Sequence, residues 1–333
     1  MLETSGSTSG TPRVVALSAA AIRASATATH ETLGGPGAWL LTLPAHHVAG
    51  VMVAARAILA GTPPTLANPG PFRAETFADD VARFVRSNAG RRYTSLVPTQ
   101  LRRLLASEAG TAAAATFDAI LVGGAATPPD LLEQAREAGI AVVTTYGMTE
   151  TSGGCVYDGV PLRKVGVRID DDGRIHLSGP TLALGYLSAQ EFNPIHGELA
   201  TSDRGTWDGS RLRILGRIDD VLLSGGINIH PLDIEAVLAR VIGVAEVVVV
   251  GVSDPEWGEV AAAAVVPHDQ AALIPGPVRE ALITAVQEAA RAELGAPWVP
   301  RRIAMFEALP LLGPGKPDRR AVQHALSLPR PGA

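Results

Sequence analysis

The sequence predicts an α/β protein in two domains, a large N-terminal domain with parallel sheets and an antiparallel lobe, and a small, mobile α+β C-terminal domain. Three observations predict it. Up to Gly159, short apolar runs alternate with amphipathic stretches of about fifteen residues, the pattern of βαβ units feeding a parallel sheet. After Gly159 the runs shorten and D-D-G and W-D-G turns separate them, as in an antiparallel lobe or small barrel. After Gly216 an Asp- and Gly-rich stretch leads into helices and strands sufficient for a separate small domain. A length of 333 residues agrees, since ~150 residues per domain suggests two. The boundary is placed near Asp219, giving domains 1–218 and 219–333.

The elements follow in order. Ser18–Leu33 reads as a helix with a serine N-cap. Ala38–Leu43 (AWLLTL) reads as a strand, Val48–Leu59 and Ala74–Ser87 as helices, Tyr93–Val97 as a strand and Thr99–Ala106 as a helix. Asp118–Val122 (DAILV) is a strand, Pro128–Ala138 a helix and Ile140–Thr145 (IAVVTT) a strand. The lobe supplies strands at Lys164–Ile169, Arg174–Leu177 and Arg211–Leu215. The small domain has a helix at Leu232–Val241, strands at Glu246–Val252 and Val260–Val266, a helix at Pro277–Leu294 and a strand at Arg302–Phe306. No internal repeat is visible.

Composition narrows the function. A net charge of −5 argues against a protein that coats nucleic acid. The single cysteine, Cys155, allows no intrachain disulfide and suits a reducing cytoplasm. No N-terminal stretch has the charged-then-apolar form of a secretory signal, and no apolar run reaches the ~20 residues of a membrane span. We therefore expect a cytoplasmic protein with neither nucleic-acid nor membrane partners; association of identical copies stays open. All but two of the 28 basic residues are arginines, the exceptions being Lys164 and Lys316. Where any positive charge suffices the chain uses Arg, so a lysine in a Gly/Pro-rich loop, LLGPGKPDRRAV, stands out.

Several segments carry candidate chemistry. TSGSTSGTPR (4–13) reads as a solvated chain end or as an anion cradle, with glycines that let N–H groups converge, hydroxyl donors, and a fixed charge at Arg13. It is not a Walker loop, which needs G-x-x-x-x-G-K-[ST]. VGGAA (122–126) and TYGMTETSGG (145–154) are glycine-bearing turns after predicted strands, where open parallel sheets bind ligands. Tyr146 offers an aromatic face for a purine or a core ring. Glu150 offers a carboxylate for Mg²⁺ beside phosphates or an ordinary first-turn acid. TSDRG (201–205) places Asp203 in a tight turn, free to accept ribose hydroxyls or merely a turn residue. GRIDDVLLSGGINIHPLDIE (216–235) is a dense polar stretch with two glycines ahead of a helix.

In this order, TSGSTSGTPR, YGMTET, TSDRG, GRIDDVLLSGGINIHPLDIE and GPGKPDR resemble the serial motifs of the adenylate-forming superfamily: acyl- and aryl-CoA ligases, peptide-synthetase adenylation domains and luciferases. The resemblance spans nearly the whole chain. Within the superfamily, YGMTETSGGCVYDGVPL and PAHHVAG look most like the 2-succinylbenzoate–CoA ligases of menaquinone synthesis. The resemblance implies an ATP- and Mg²⁺-dependent ligase that forms an acyl-adenylate of an aryl acid and then its coenzyme A thioester. It implies that Thr4, Ser5, Gly6, Ser7, Thr8 and Arg13 hold the β- and γ-phosphates. Gly123, Gly124 and Tyr146 border adenine, with Gly147 beside them. Thr149 contacts the α-phosphate and Glu150 carries Mg²⁺. Asp203 and Arg217 hold the ribose, and His47 sits beside the acyl pocket as a residue able to meet a carboxylate. Asp219 matches the hinge, and Lys316 the catalytic lysine that approaches acyl carboxylate and α-phosphate.

Two departures accompany the resemblance. The phosphate segment is one residue longer than TSGTTG-x-P-K, with Arg13 for the lysine; an arginine can serve a phosphate through its fork geometry, and the chain's general use of arginine accounts for the exchange. Only MLE precedes it, so the fold is expected to be N-terminally shortened and to lack the strand leading into the loop. The rival readings are an adenylation enzyme that loads a carrier-protein thiol and a nucleotide-binding, non-catalytic remnant.

Overall fold

The computed structural model describes residues 1–4, 13–188, 191–218, 220–312 and 316–327. Its internal packing divides the chain into two compact units, one built from residues up to 201 with 205–213, the other from 202–204 and 214–312 and continuing from 317.

The first unit opens on a hairpin. β1 (Leu2–Glu3) pairs antiparallel with β2 (Val14–Ala16), Leu2 opposite Val15 and Glu3 opposite Val14. The expectation that no strand leads into the Thr4–Arg13 segment is thus corrected. The β-branched Val14 and Val15 form a strand against which even two preceding residues can pair. In α1 (Ala19–Thr32) the Ser18 hydroxyl accepts the Ala21 N–H at 3.0 Å, the predicted N-cap. Then come β3 (Ala38–Leu41), α2 (Val48–Leu59), β4 (Thr65–Leu66), α3 (Ala74–Ser87), β5 (Arg92–Leu96), α4 (Pro98–Leu105), α5 (Glu108–Ala114), β6 (Ala119–Val122), α6 (Pro129–Glu137) and β7 (Val142–Met148). The helix α5 was not foreseen; Ser107 caps it by accepting the Gly110 N–H at 3.3 Å.

These strands, with β8 (Gly153–Tyr157) and β9 (Val160–Pro161), form a sheet of order β4-β3-β5-β6-β7-β8-β9. It is parallel from β4 to β7 and antiparallel beyond. Both faces are covered, as βαβ crossovers require. Leu40, Ile120 and Val122 pack with Phe77, Phe84 and Phe117 on one side. Their strand neighbours Trp39, Leu41 and Leu121 pack with Ala28, Val53 and Ala57 on the other, the two-residue alternation of a strand.

The lobe comprises β10 (Gly166–Ile169), β11 (Arg174–Ser178), β12 (Gly185–Leu187), β13 (Phe192–Pro194), β14 (Glu198–Trp207) and β15 (Leu212–Arg217). β10, β11, β14 and β15 form one sheet, while β12 returns to β2 in a second sheet of order β1-β2-β12-β13.

The second unit contains the hairpin β16 (Leu222–Ser224) and β17 (Ile227–Ile229), turned by Gly225 and Gly226 at φ +56° and +83°. Two successive left-handed residues make the turn that suits a two-residue hairpin, which explains both glycines. α7 (Pro231–Leu238), β18 (Val244–Asp254), β19 (Gly258–Pro267), α8 (Pro277–Leu294) and β20 (Arg302–Met305) follow, then β21 (Leu311–Leu312), β22 (Lys316–Pro317) and α9 (Arg319–Ser327). Val249, Ala263 and Val265 face α7 and α8 residues Ile234, Leu238, Leu282 and Val286. Val248, Val250, Ala262 and Ala264 face Val322 and Leu326 of α9. Among the described residues no helix is long and apolar enough to cross a membrane.

Candidate active site

The feet of the TSGSTSGTPR segment are joined. The Thr4 N–H donates to the Arg13 carbonyl at 2.9 Å, and the Arg13 N–H donates to Thr4 Oγ1 at 3.0 Å. Ser5, Gly6, Ser7 and Thr8 lie outside the described residues. β12 pairs beside β2 with Tyr186 opposite Val15, which sets Tyr186 near Arg13. The Arg13 guanidinium lies over the Tyr186 ring, 4.3 Å from its centroid. The Tyr186 hydroxyl donates to Glu150 Oε1 at 3.0 Å. Burial, then the Glu150 charge, raises the Tyr186 phenol to about 12, with Arg13 opposing, so it is a neutral donor. A cleft of about 280 Å³ adjoins them, lined by Arg13, Tyr186, Leu187, Ser188 and Asn193. A larger cleft of about 480 Å³, between Asp158 and Arg213 on the lobe, contains none of the residues singled out from the sequence.

Glu150 and Thr149 are buried in a 3₁₀ turn, Thr149–Thr151, that follows β7. The sequence suggested a loop from Thr145; the strand instead runs on through Tyr146, Gly147 and Met148, because β8 folds back and pairs with it. Tyr146 packs against Cys155, Val156, Ile175 and Leu177. A Cβ on Gly147 would overlap the Gly153 carbonyl oxygen and sit 2.7 Å from Gly154 Cα. One on Gly123 would overlap Thr145 Oγ1, and Gly124 has φ +81°. Gly123 and Gly147 therefore serve close strand packing at the carboxyl ends of β6 and β7, the end of a parallel sheet where ligands bind, and Gly124 serves a left-handed turn there. Tyr146, Gly147, Thr149 and Glu150 all lie in the five-residue stretch 146–150 of this edge, and Gly123 meets it through Thr145. Cys155 is fully buried and its thiol is pushed up to about 12 by burial, so it is no nucleophile.

His47 occupies the N-cap of α2 without capping it. Burial, then neighbouring His46, lowers its pKa below 6.5 and favours the neutral ring. Val48 and Met52 of the same helix approach Gly153. One turn further on lies a residue that the sequence reading missed. Arg56 is buried at 3 % exposure. It donates from Nε to Thr29 Oγ1 and from Nη2 to Tyr157 Oη, both at 3.2 Å, and sits 5.2 Å over Trp39. Among the described residues no carboxylate pairs with it, and burial lowers its pKa. His30 Nε2 and Trp39 Nε1 nearby are buried without partners among the described residues. A charged residue within the apolar run VAGVMVAARAIL was the available signal.

Asp203 does not lie in a tight turn. It sits within the ten-residue strand β14, whose pairing overrides the turn-like composition of TSDRG. Arg217 ends β15. The bond from the Ile218 N–H to the Ser202 carbonyl, 2.8 Å, places Asp203 and Arg217 side by side on neighbouring strands. The hinge candidate Asp219 and the Lys316 side chain lie outside the described residues. Lys316 belongs to the two-residue strand β22. Just beyond it, Arg319 donates to Glu235 Oε2 at 2.9 Å and to the Val249 carbonyl at 2.7 Å, and Glu235 accepts the Val249 N–H at 2.7 Å.

The chain is similar to known proteins along nearly its whole length. The family profile described as "AMP-binding enzyme" matches residues 2–187, and "AMP-binding enzyme C-terminal domain" matches residues 233–316. A Mycobacterium tuberculosis protein named "Probable 2-succinylbenzoate--CoA ligase" is 41% identical over 327 residues, covering 97% of this chain and 83% of that protein. The Bacillus subtilis o-succinylbenzoate CoA synthetase (MenE) in complex with the acyl-adenylate intermediate OSB-AMP superposes with TM-score 0.77 at 27% identity, over 97% of this chain and 68% of that one. The same B. subtilis enzyme in complex with ATP and magnesium ion gives TM-score 0.75 at 27% identity, over 96% and 68% of the two chains. With profile matches on both sides of the Asp219 region and a relative 41% identical over 97% of this chain, the chain belongs to the AMP-binding, adenylate-forming enzyme family.

Proposed function

We propose that this chain is an AMP-forming acid–thiol ligase that converts 2-succinylbenzoate to its coenzyme A thioester through an acyl-adenylate, the activation that menaquinone synthesis requires. The carrying observation is the meeting of Arg13 and Glu150 on Tyr186, which sets a phosphate-binding cation beside a buried carboxylate. The likeness to the mycobacterial and B. subtilis ligases supports the choice of acid.

The residues present fit Mg²⁺. Glu150 Oε1 is taken by Tyr186, and Oε2 has no partner among the described residues. No cluster of three or more acidic, His or Cys ligands is found among them; Mg²⁺ beside nucleotide phosphates uses one or two carboxylates, not a protein cage. When bound, the ion neutralises phosphate charge. Arg13 and the donors of the Thr4–Arg13 segment hold the β- and γ-phosphates, and Thr149 meets the α-phosphate. Asp203 and Arg217 hold the ribose, and Gly123, Gly124, Tyr146 and Gly147 flank the adenine.

The acid carboxylate attacks the α-phosphorus and pyrophosphate leaves. Two anions approach, so fixed cations govern the barrier. Lys316 supplies one there. Neutral His47 donates a hydrogen bond at the acyl pocket, and the buried guanidinium of Arg56 answers the second carboxylate of a dicarboxylic acid. Coenzyme A thiolate then attacks the acyl carbon and AMP leaves. The small domain, 219–333, turns about Asp219 between the steps and withdraws Lys316. The location is the cytoplasm.

A pyrophosphate-release screen over 2-succinylbenzoate, benzoate and medium-chain fatty acids, with and without coenzyme A, tests this reading. Fastest turnover with 2-succinylbenzoate, and thioester formed without carrier protein, is expected. Faster turnover of another acid rejects the substrate; nucleotide binding without pyrophosphate release rejects the enzyme.

A further inference from the structure

The Glu150 turn is stitched to the strand that carries Tyr186. The Ala183 N–H donates to the Glu150 carbonyl at 2.8 Å, and Ser152 Oγ donates to the Thr181 carbonyl at 2.9 Å. β12 is held from the other side by β2, at whose start stands Arg13. The ring of Tyr186 therefore reaches Arg13 with its face and Glu150 with its hydroxyl. A phenol is rigid, with two torsions, and cannot let one contact drift without the other.

We propose that Tyr186 is a positioning residue with two separable parts: its hydroxyl fixes Glu150 with one carboxylate oxygen free for the metal, and its face holds the Arg13 guanidinium towards the nucleotide phosphates. This rests on the assignment of Glu150 and Arg13 made above. The hydroxyl occupies Glu150 Oε1 and leaves Oε2 as the oxygen that would be offered to a cation. Partners of this kind fix ligand direction, and their loss costs about ten- to a hundredfold in metal affinity. The face matters because the cation it holds is an arginine. A planar guanidinium stacks on a ring, whereas an ammonium is a point charge free to turn.

Binding separates the two parts without turnover. Tyr186→Phe keeps the face and deletes the hydroxyl; Tyr186→Leu deletes both. ATP binding is measured by calorimetry without metal, and Mn²⁺ binding in the presence of ATP by electron paramagnetic resonance. Tyr186→Phe should leave metal-free ATP affinity within about twofold and weaken Mn²⁺ about tenfold. Tyr186→Leu should weaken both, the metal-free binding by about fivefold, as a lost cation–π contact predicts. Glu150→Gln is the reference for the metal. If it weakens Mn²⁺ while Tyr186→Phe does not, the role of the hydroxyl is overturned. If Tyr186→Leu retains full metal-free ATP affinity, the role of the face is overturned. If Glu150→Gln itself binds Mn²⁺ normally, the assignment of Glu150 fails and the proposal falls with it. Melting curves of the variants, with Tyr186→Phe melting as the parent, tie the losses to the site.

Discussion

Arg56→Met separates stability from substrate recognition. Arg56 is 3 % exposed, and its guanidinium gains two hydrogen bonds of 3.2 Å and one ring contact. Hydrogen bonds to a charge bring about 1.5–3 kcal/mol each, and these are long ones. Removing a cation from water costs several kcal/mol, and no carboxylate among the described residues repays it. Methionine has similar length and no charge. It also orphans nothing: the Tyr157 hydroxyl and Thr29 Oγ1 are already bonded at 2.9 Å, and Thr29 donates to the Ser25 carbonyl at 2.9 Å. Folding stability should therefore change by no more than about 1 kcal/mol in the unfavourable direction, or rise. If Arg56 meets a substrate carboxylate, its loss removes about 2–4 kcal/mol of binding, or roughly 30- to 1,000-fold in KM for 2-succinylbenzoate. The kcat at saturation should change much less, because the contact exists before and during the reaction. KM for benzoate, which lacks the second carboxylate, should stay within about twofold. The assays are pyrophosphate release over a range of acid concentrations and urea unfolding. An unchanged KM for 2-succinylbenzoate refutes the role, and a loss above about 3 kcal/mol in stability refutes the accounting.

Lys316→Ala and Lys316→Arg should each slow pyrophosphate release about 10²–10³-fold and largely spare thioester formation from pre-made acyl-adenylate; undiminished adenylation by the Arg variant would remove the lysine from the mechanism. Gly147→Ala should force β7 and β8 apart, since its Cβ would overlap the Gly153 carbonyl, and cost about 3 kcal/mol in urea unfolding; a silent substitution would contradict the close pairing. His30 is lowered from 6.5, first by burial and then by Arg56, so the unfolded chain takes up a proton that the native state refuses. Its contribution is complete above pH 6.5 and is lost as pH falls towards the folded value. His30→Phe should therefore flatten the fall of stability below pH 6.5, by up to about 1.4 kcal/mol per pH unit; an unaltered slope in denaturant titrations at pH 5–7 would show that His30 does not titrate there.

The sequence by itself determined the α/β class, the change of texture after Gly159 and the order of the motifs. Each depends on local pattern: the two- and 3.6-residue periods of apolar side chains, glycine at special backbone angles, a serine before a helix. It also made Lys316 conspicuous, because a chain so rich in arginine declares its lysines. Tertiary structure decided what pairs with what. TSDRG has turn composition, yet Asp203 lies mid-strand because neighbours remote in sequence supply the ladder. Leu2–Glu3 is a strand only because Val14 and Val15 lie opposite. Tyr186 reads as an ordinary residue in LALGYL until β2 brings Arg13 to its face and the turn after β7 brings Glu150 to its hydroxyl. Arg56 is charged in a run of apolar residues, but its lack of a carboxylate partner among the described residues is a fact of three-dimensional neighbours. Local preference cannot encode such encounters, since their energies arise from burial and pairing between segments far apart in the chain.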